Sequence, residues 1–168
     1  DGGRSSTLGT ALLAAVQERG GPAVLLEACA EHDLSAKHPL ISQREIGRHV
    51  STLSTALQDT RGENIEIVAI DTLTGAEAVR LSLELADTGR LVLAGVGASS
   101  VSSALELLLG ETTDSLSRGR LARSLLAVTQ LSWVTEESGR RLELHTVLRS
   151  PRMVRAIEHA QADLVDCD

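Results

Sequence analysis

The stretch IEIVAIDTLTGAEAVRLSLELADTGRLVLA, residues 65–94, decides the fold class of the chain. Residues 65–70 form a short apolar run rich in isoleucine and valine, which is typical of a buried strand. A helical pattern follows and stops at Thr88 and Gly89. Leu91–Ala94 is a second apolar run and is predicted to be another buried strand. A strand, a helix and a strand in this order predict two parallel strands joined by a helical crossover.

The helix within this stretch carries its own start signal. Thr74 and Glu77 have the spacing of a capping box, in which both side chains bond to free amides at the helix start. Val79, Leu83 and Leu85 then supply apolar positions that such a helix turns toward a core. The box predicts where the helix begins, and the apolar positions predict the face that it buries.

The same alternation of helix and strand continues on both sides. Before residue 65, the predicted elements are a helix over residues 5–20, a strand over 23–26, an edge strand over 40–46 and a helix over 50–62. After residue 94, they are helices over 99–109 and 114–126, a β-hairpin of strands 128–135 and 141–148, and a helix that begins at Pro151. Met153, Ile157 and Ala160 share one face of that last helix.

Together these elements predict an α/β fold with a mainly parallel sheet flanked by helices. A C-terminal β-hairpin and helix are appended to this core. No internal repeat or linker divides the chain. We therefore predict one domain over residues 1–168, with a core over 1–127 and the hairpin and closing helix over 128–162.

Composition excludes several classes of function. The 168 residues carry a formal net charge of −7 and include no Phe or Tyr, with Trp133 as the one aromatic residue. Base stacking and broad phosphate-backbone binding are not expected, so we predict no nucleic-acid partner. No apolar run approaches the roughly 20 residues that cross a bilayer, which predicts a soluble domain without direct membrane insertion. Cys29 and Cys167 form no CxxC pair, which favours a reduced, cytoplasmic setting.

The first residues have the composition of a weakened phosphate-binding loop. Gly2 and Gly3 would let backbone amides approach a phosphate. Arg4 would supply the cation, and Ser5 and Ser6 would supply hydroxyls for phosphate or magnesium. Taken alone, the residues favour a simpler interpretation, a polar segment that caps the first helix. Because the amides at a helix start attract anions, we also predict weak binding of sulfate, phosphate or a diphosphate there.

Three carboxylates follow predicted strands. Glu27 and Glu31 come after the strand over residues 23–26, where a pair of carboxylates could activate water or organise the hydration of a metal. A solvated acidic loop is the alternative. Asp71 ends the strand over residues 65–70, at the edge where sites in open α/β sheets usually lie, or it is simply a polar strand end.

Four segments share their order and spacing with one known family. Residues 74–92 are similar to the pattern RDLETxRxAlxAAeTGHLV, and residues 43–47 match QREvG. Residues 121–131 match LaxsLxxvxxQxL, and residues 143–157 resemble EvLxxtPaixxxI. These patterns are those of the pilus and secretion ATPases, the PilT/GspE-like family of RecA-like P-loop NTPases. The resemblance extends over residues 3–158, nearly the whole chain.

This resemblance implies a RecA-like motor domain that binds ATP and Mg²⁺ and works as a hexamer. Such motors hydrolyse ATP to move pilus-like filaments or to drive secretion. Gly3, Arg4 and Ser5 lie where the family has Gly-Lys-Ser/Thr, and Glu27 and Glu31 lie where it has the acids of its Asp box. The implied catalytic positions are Glu27, Asp71 and Thr72; the implied nucleotide contacts are Gly2, Gly3, Arg4, Ser5 and Ser6; and the implied metal contacts are Ser5 and Glu31.

Several of these positions depart from the family pattern. Thr72 falls at the catalytic Glu and cannot serve as a general base near neutral pH. Asp71 is one residue earlier, and it is predicted to face the opposite side because successive strand residues alternate. A distortion at the end of the strand is the alternative that would bring Asp71 into the site. The planar fork of Arg4 does not mimic a compact ammonium in a tight loop. Gly97 replaces the family's His-box histidine.

These departures predict a degenerate ATPase-like domain with weak or absent hydrolysis. We expect it to act as an assembly or regulatory partner, in a homo- or hetero-oligomer with related ATPase subunits of a pilus-like or secretion machine. Its setting would be cytoplasmic, with access to the inner face of the membrane through partners. Two alternatives stay open: a working ATPase that uses Arg4, Glu27 and Asp71, and a structural interaction module of a larger chain.

Overall fold

The computed structural model describes residues 3–30, 33–136 and 139–161. Within these ranges the chain forms two compact units. The sheet unit is Arg4–Val96, and the hairpin unit contains Gly3 and the described residues from Gly97 onward. Among the helices of these ranges, none combines the length and the apolar character that a bilayer crossing requires.

Three helices and four strands build the described sheet unit. In chain order they are α1 (Arg4–Arg19), β1 (Ala23–Glu27), β2 (Ile41–Glu45), α2 (Leu53–Gly62), β3 (Ile67–Ile70), α3 (Ala76–Asp87) and β4 (Leu91–Ala94). All four strands are parallel and lie in the order β2-β1-β3-β4. The predicted parallel sheet is confirmed, and β2 lies at its edge as expected.

The two central strands, β1 and β3, carry the core of the sheet unit. Every residue of both strands is buried, as expected for parallel strands covered on both faces. Leu8, Leu12 and Val16 of α1 share one hydrophobic cluster with Leu25 of β1. Burying a side chain of this size stabilises the fold by about 1.5–3 kcal/mol. The helix that begins at Arg4 is therefore held against the sheet by its own apolar face.

The burial of β4 differs from the prediction. Its residues are half-buried, and Ala94 is exposed. The reason is the position of the strand, because β4 pairs with β3 alone in the described sheet and forms its second edge. An apolar run predicts a strand but does not reveal its place in the sheet order.

The start of α3 also differs from the prediction. Gly75 is the N-cap residue, with a φ of 88°, and no side chain caps the helix. Glu77 instead accepts hydrogen bonds from Arg80 at 3.0 Å (Nε) and 2.7 Å (Nη2), and this contact lowers the pKa of Glu77. The predicted capping box of Thr74 and Glu77 is therefore wrong, because a guanidinium one turn later binds the carboxylate.

The hairpin unit contains the remaining described elements. They are α4 (Val101–Glu111), α5 (Ser115–Ser124), β5 (Ala127–Glu136), β6 (Gly139–Leu148) and α6 (Pro151–Glu158). β5 and β6 pair antiparallel, with Leu131 opposite Leu144 and Trp133 opposite Leu142. The predicted C-terminal hairpin and helix are confirmed.

The closing helix α6 begins as predicted but buries a different third residue. Ser150 is its N-cap, and the Ser150 side chain accepts a hydrogen bond from the Met153 amide at 3.2 Å. Met153, Ala156 and Ile157 are buried. Ala160 is exposed and has a φ of 54°, because the helix ends before it. The prediction that Ala160 joins the buried face is wrong.

Candidate functional site

The candidate site lies in the sheet unit, where α1 begins and where β1 and β3 end. β1 and β3 are neighbours, with Leu26 opposite Ile70. Their carboxyl ends therefore meet at one edge of the sheet. Glu27 is the last residue of β1, and Asp71 is the first residue after β3. Ligand sites in open α/β sheets usually lie at this edge.

Four side chains at this edge form a hydrogen-bonded set, which we call the Arg4 cluster: Arg4, Ser5, Asp71 and Thr72. The Ser5 hydroxyl donates to Asp71 Oδ1 at 2.7 Å. Arg4 Nη2 donates to Thr72 Oγ1 at 2.9 Å, and that hydroxyl donates to Asp71 Oδ2 at 3.2 Å. Arg4 Nη2 also lies 3.8 Å from Asp71 Oδ2. One carboxylate thus binds two hydroxyls and balances the guanidinium charge.

The position of Asp71 corrects the prediction that it faces away from Thr72. The two neighbouring side chains bond to each other, so both lie on the same side of the chain. Strand alternation does not apply to them, because β3 ends at Ile70 and the chain bends at the next two residues. Asp71 therefore meets Ser5 at the start of α1.

The N–H donors of the Arg4 guanidinium are not all hydrogen-bonded in the described structure. The side chains of Arg4 and Asp71 are 24% and 16% exposed, so their ion pair is partly shielded from solvent. Arg4 Nη2 is bound to Thr72, whereas Arg4 Nε is buried and has no hydrogen-bond partner in the described structure. Leaving a buried donor unbonded is unfavourable. The cluster therefore orients the cation without satisfying all of its donors.

Gly95 follows β4 and lets the backbone pack closely against Asp71 and Arg4. A Cβ at this position would lie 2.2 Å from the Asp71 carbonyl oxygen and 2.9 Å from Arg4 Cδ. The Gly95 backbone also pairs on both sides, since its amide donates to the Ile70 carbonyl at 2.9 Å and its carbonyl accepts from the Leu73 amide at 2.8 Å. The sequence pattern did not predict this role of Gly95. A glycine directly after an apolar strand was the available signal.

Glu27 is held in place by a neighbour on β2. Its side chain is buried, and its carboxylate accepts a hydrogen bond from Gln43 Nε2. Gln43 Oε1 accepts in turn from the Leu34 amide at 2.9 Å. Gln43 therefore links the end of β1 to the loop that follows it. Gln43 lies in residues 43–47, which match the family pattern, but the sequence predicted no role for it.

A small cavity of about 170 Å³ joins Glu27 to the start of α1. Its polar lining includes Ser5, Ser6, Glu27 and Lys37, and its remaining walls are Gly9, Thr10, Leu13, Leu25 and Leu34. Lys37 is the only lysine of the chain, and the sequence pattern predicted no role for it. The structure thus brings Glu27 and the two serines to one cavity, while Ser5 also contacts Asp71 in the Arg4 cluster.

The remaining predicted positions are not in this site as described. Gly2 and Glu31 lie outside the described residues. Gly3 belongs to the hairpin unit, where it has a φ of 86° and its Cβ position lies 3.5 Å from Trp133 Cζ2. Among the described residues, no group of three His, Cys, Asp or Glu side chains is arranged to hold a metal ion.

Comparison with known sequences identifies relatives but no matching family model. The chain is 29% identical to the uncharacterized protein YggR of Escherichia coli K12 over 164 residues, 95% of this chain and 50% of that protein. It is 24% identical to the type IV pilus retraction ATPase PilT of Pseudomonas aeruginosa over 156 residues, 91% and 45% of the two chains. The resemblance to this ATPase family is confirmed. The chain spans about half the length of the curated relatives it matches.

Solved structures of similar proteins confirm the fold. The pilus retraction motor PilT with bound ADP superposes with a TM-score of 0.78 over 98% of this chain and 49% of that one, at 16% identity. The ATPase DotB of Legionella pneumophila gives a TM-score of 0.77 over 93% and 48%, also at 16% identity. At this identity the likeness establishes the α/β ATPase fold alone. The predicted fold class is therefore confirmed.

The side chains expected to contact a magnesium nucleotide are bonded to neighbouring side chains in this structure. Ser5, the hydroxyl expected at magnesium, donates to Asp71, and Arg4, the cation expected at phosphate, is bound to Thr72 and paired with Asp71. The adjoining cavity of about 170 Å³ is smaller than the roughly 300 Å³ at which ligand pockets usually begin. A magnesium nucleotide at this site would therefore require Ser5 and Arg4 to change partners.

Proposed function

We propose that this chain is a degenerate pilus- or secretion-ATPase-like domain that acts as an assembly or regulatory partner of related ATPase subunits. The Arg4 cluster is the observation that carries the proposal. In it, the side chains expected to meet phosphate and magnesium are bound to Asp71 and Thr72. Segments that resemble the family follow these residues along the sequence.

The replacement of lysine by Arg4 supports low nucleotide affinity. A lysine ammonium is a compact charge that can follow a phosphate, whereas a guanidinium is a rigid planar fork. Here Thr72 binds one end of that fork, and Asp71 balances its charge. A phosphate would have to compete with Thr72 and Asp71 for this guanidinium. We therefore expect anions to bind weakly and nucleotides more weakly than in an active motor.

Thr72 supports the absence of efficient hydrolysis. Hydrolysis needs a base or an equivalent group that positions the attacking water. The Thr72 hydroxyl accepts from Arg4 and donates to Asp71, so it is occupied within the cluster. Asp71 in turn accepts from Ser5 and Thr72. The Thr72 hydroxyl is therefore not available to position the attacking water.

The assembly role is supported by what the chain retains. The parallel sheet, the order of helices and the closing hairpin follow the fold of much longer ATPases. A domain that keeps this fold without working catalytic side chains can still pack beside catalytic subunits. We propose that related ATPase subunits are its partners and that it reaches a pilus-like or secretion machine through them.

A second candidate function is ATP hydrolysis with non-standard residues. The short contact of 2.7 Å between Ser5 Oγ and Asp71 favours it, because a hydroxyl beside a carboxylate is a plausible pair for a hydrated magnesium ion. Glu27 lines the same cavity as Ser5 and is a carboxylate within reach of that position. Under this alternative, Arg4 would leave Thr72 and turn toward phosphate.

Steady-state hydrolysis of magnesium-ATP separates the two candidates. The assay compares the wild type with Ser5→Ala, Thr72→Glu and the control Ser115→Ala, which removes an exposed hydroxyl from the first turn of α5. We expect no hydrolysis above background for any of these proteins. Thr72→Glu supplies a carboxylate but leaves Arg4 at the position of the family's lysine, so it should not restore turnover. Hydrolysis that Ser5→Ala abolishes and Ser115→Ala preserves would establish the second candidate. Robust turnover by Thr72→Glu alone would show that only one base had been lost.

The assembly role needs its own readout. Labelled chain is mixed with a purified related motor ATPase, and co-sedimentation and the hydrolysis rate of the motor are both measured. We expect the chain to sediment with the motor and to change its rate. If neither quantity responds over a concentration series, the partner role fails, whatever the outcome of the hydrolysis assay.

A further inference from the structure

One face of α4 forms an open groove in the hairpin unit. The groove has a volume of about 520 Å³ and is lined by Gly97, Ala98, Ser99, Ser103, Glu106, Leu107, Gly110 and Glu111. Each of the five lining residues within α4 has another of them three or four positions away, so they form one continuous stripe along the helix. At its centre, Leu107 is 49% exposed. An apolar side chain is thus presented to solvent between small and acidic neighbours.

The shape of this stripe suits a second helix. Ser103 and Gly110 lie one turn before and one turn after Leu107, and a Cβ at Gly110 would meet no atom within 4 Å. Small residues on both sides of a leucine let another helix approach closely and insert a side chain. Glu106 and Glu111 give this stripe a negative charge. A helix with an apolar centre and positively charged flanks would therefore complement the groove.

Helix α5 carries the complementary set of residues. Leu116 is 60% exposed, Gly119 lies three positions later, and Arg120 and Arg123 continue the same face. Arg123 is exposed, and its Nη1 lies 3.3 Å from the Cβ position of Gly119. Each of the two helices thus has one exposed leucine beside a glycine. Their flanking charges have opposite signs, negative on α4 and positive on α5.

We propose that α5 of a second copy of this chain docks into the α4 groove, with Arg123 facing Glu111 and the leucines filling the space beside the glycines. The two surfaces are different, so the contact is head to tail and leaves one α4 groove and one α5 face free for further copies. Two short helices bury a small area, so the association is weak. This inference rests on the assembly role proposed above and gives that role a surface.

Reversal of single charges tests the docking. In each single variant, Glu111→Arg or Arg123→Glu, like charges face each other in self-contacts, and we expect self-association to weaken at least about tenfold. Mixing the two variants restores opposite charges in both kinds of contact, so the mixture should associate about as well as the wild type. Glu158→Arg reverses an exposed carboxylate of the hairpin unit that lies outside both helices and serves as the control. Sedimentation velocity over a concentration series measures all five samples.

The result that supports the proposal is loss in both single variants, recovery in their mixture and no change in the control. A wild type that stays monomeric throughout the series overturns the proposal, and so do single variants that associate like the wild type. Loss without recovery on mixing also overturns it, because that pattern places the two charges in different contacts. Anion binding at the Arg4 cluster is measured separately and should be equal in all variants. A failed α4–α5 contact is thereby distinguished from a failed assignment of the altered nucleotide site.

Discussion

Replacing Gly95 by alanine tests the packing that positions the Arg4 cluster. The added Cβ would lie 2.2 Å from the Asp71 carbonyl oxygen, which is backbone and cannot swing aside, and 2.9 Å from Arg4 Cδ. Relief requires a shift of the segment after β3, where the Gly95 amide donates to the Ile70 carbonyl. Overpacking a closed site of this kind costs about 1–3 kcal/mol, and a backbone clash places the change at the upper end, about 3 kcal/mol.

Urea unfolding followed by circular dichroism measures this change. With an m value of about 2 kcal/mol per M, a loss of about 3 kcal/mol lowers the urea midpoint of Gly95→Ala by about 1.5 M. Gly97→Ala is the matched control, since a Cβ there meets no atom within 4 Å. We expect it to leave the midpoint unchanged or to raise it slightly. A Gly95→Ala variant as stable as the wild type would refute the close approach of Gly95 to Asp71 and Arg4.

Three further predictions concern separate parts of the chain. Arg4→Ala should weaken sulfate binding about tenfold by calorimetry, because it removes the cation and leaves the Asp71 carboxylate unbalanced at the start of α1; unchanged affinity would place the anion elsewhere. Ser82→Ala should raise the free energy of unfolding by about 1 kcal/mol, since the Ser82 hydroxyl is buried without a partner in the described structure; a lower stability would reveal a hidden bond. Asp114, the N-cap of α5, accepts hydrogen bonds from the Ser117 hydroxyl and amide, and these hold its pKa below the ordinary 3.8. A lowered pKa stabilises the fold above 3.8, and the contribution is lost as the pH falls through the folded value; a pH series of urea midpoints should show a smaller acid loss in Asp114→Asn than in the wild type, and equal losses would contradict this role, since Glu77 also has a lowered pKa and contributes in both proteins.

Periodicity was enough to predict a mainly parallel sheet flanked by helices. β1 and β3 are short apolar runs between helical patterns, and such runs become central parallel strands because both of their faces are covered. The same pattern did not reveal that β4 is an edge strand, since burial depends on the order of strands and not on the strand itself. The capping box failed for a related reason. The partner of Glu77 was decided by Arg80, which becomes a neighbour only once the helix has formed.

The candidate site was predicted less completely than the fold. Motif comparison located Arg4, Ser5 and Thr72, and the structure brings these three side chains together with Asp71. The direction of Asp71 depended on the end of β3 at a single residue, which alternation within a strand cannot specify. Gln43 and Gly95 act through contacts between distant segments, with the end of β1 and with Asp71. Such roles are not recorded by local spacing.

Calorimetric titration of ATP into the chain, with and without magnesium, measures directly whether the Arg4 cluster receives a magnesium nucleotide. We expect ATP to bind weakly, about as inorganic phosphate does, with no change when magnesium is added, because Ser5 is bound to Asp71 and Arg4 to Thr72. Tight, magnesium-dependent ATP binding that is lost in Ser5→Ala and kept in Ser115→Ala would contradict it. That result would mean that the Arg4 cluster opens to receive a nucleotide.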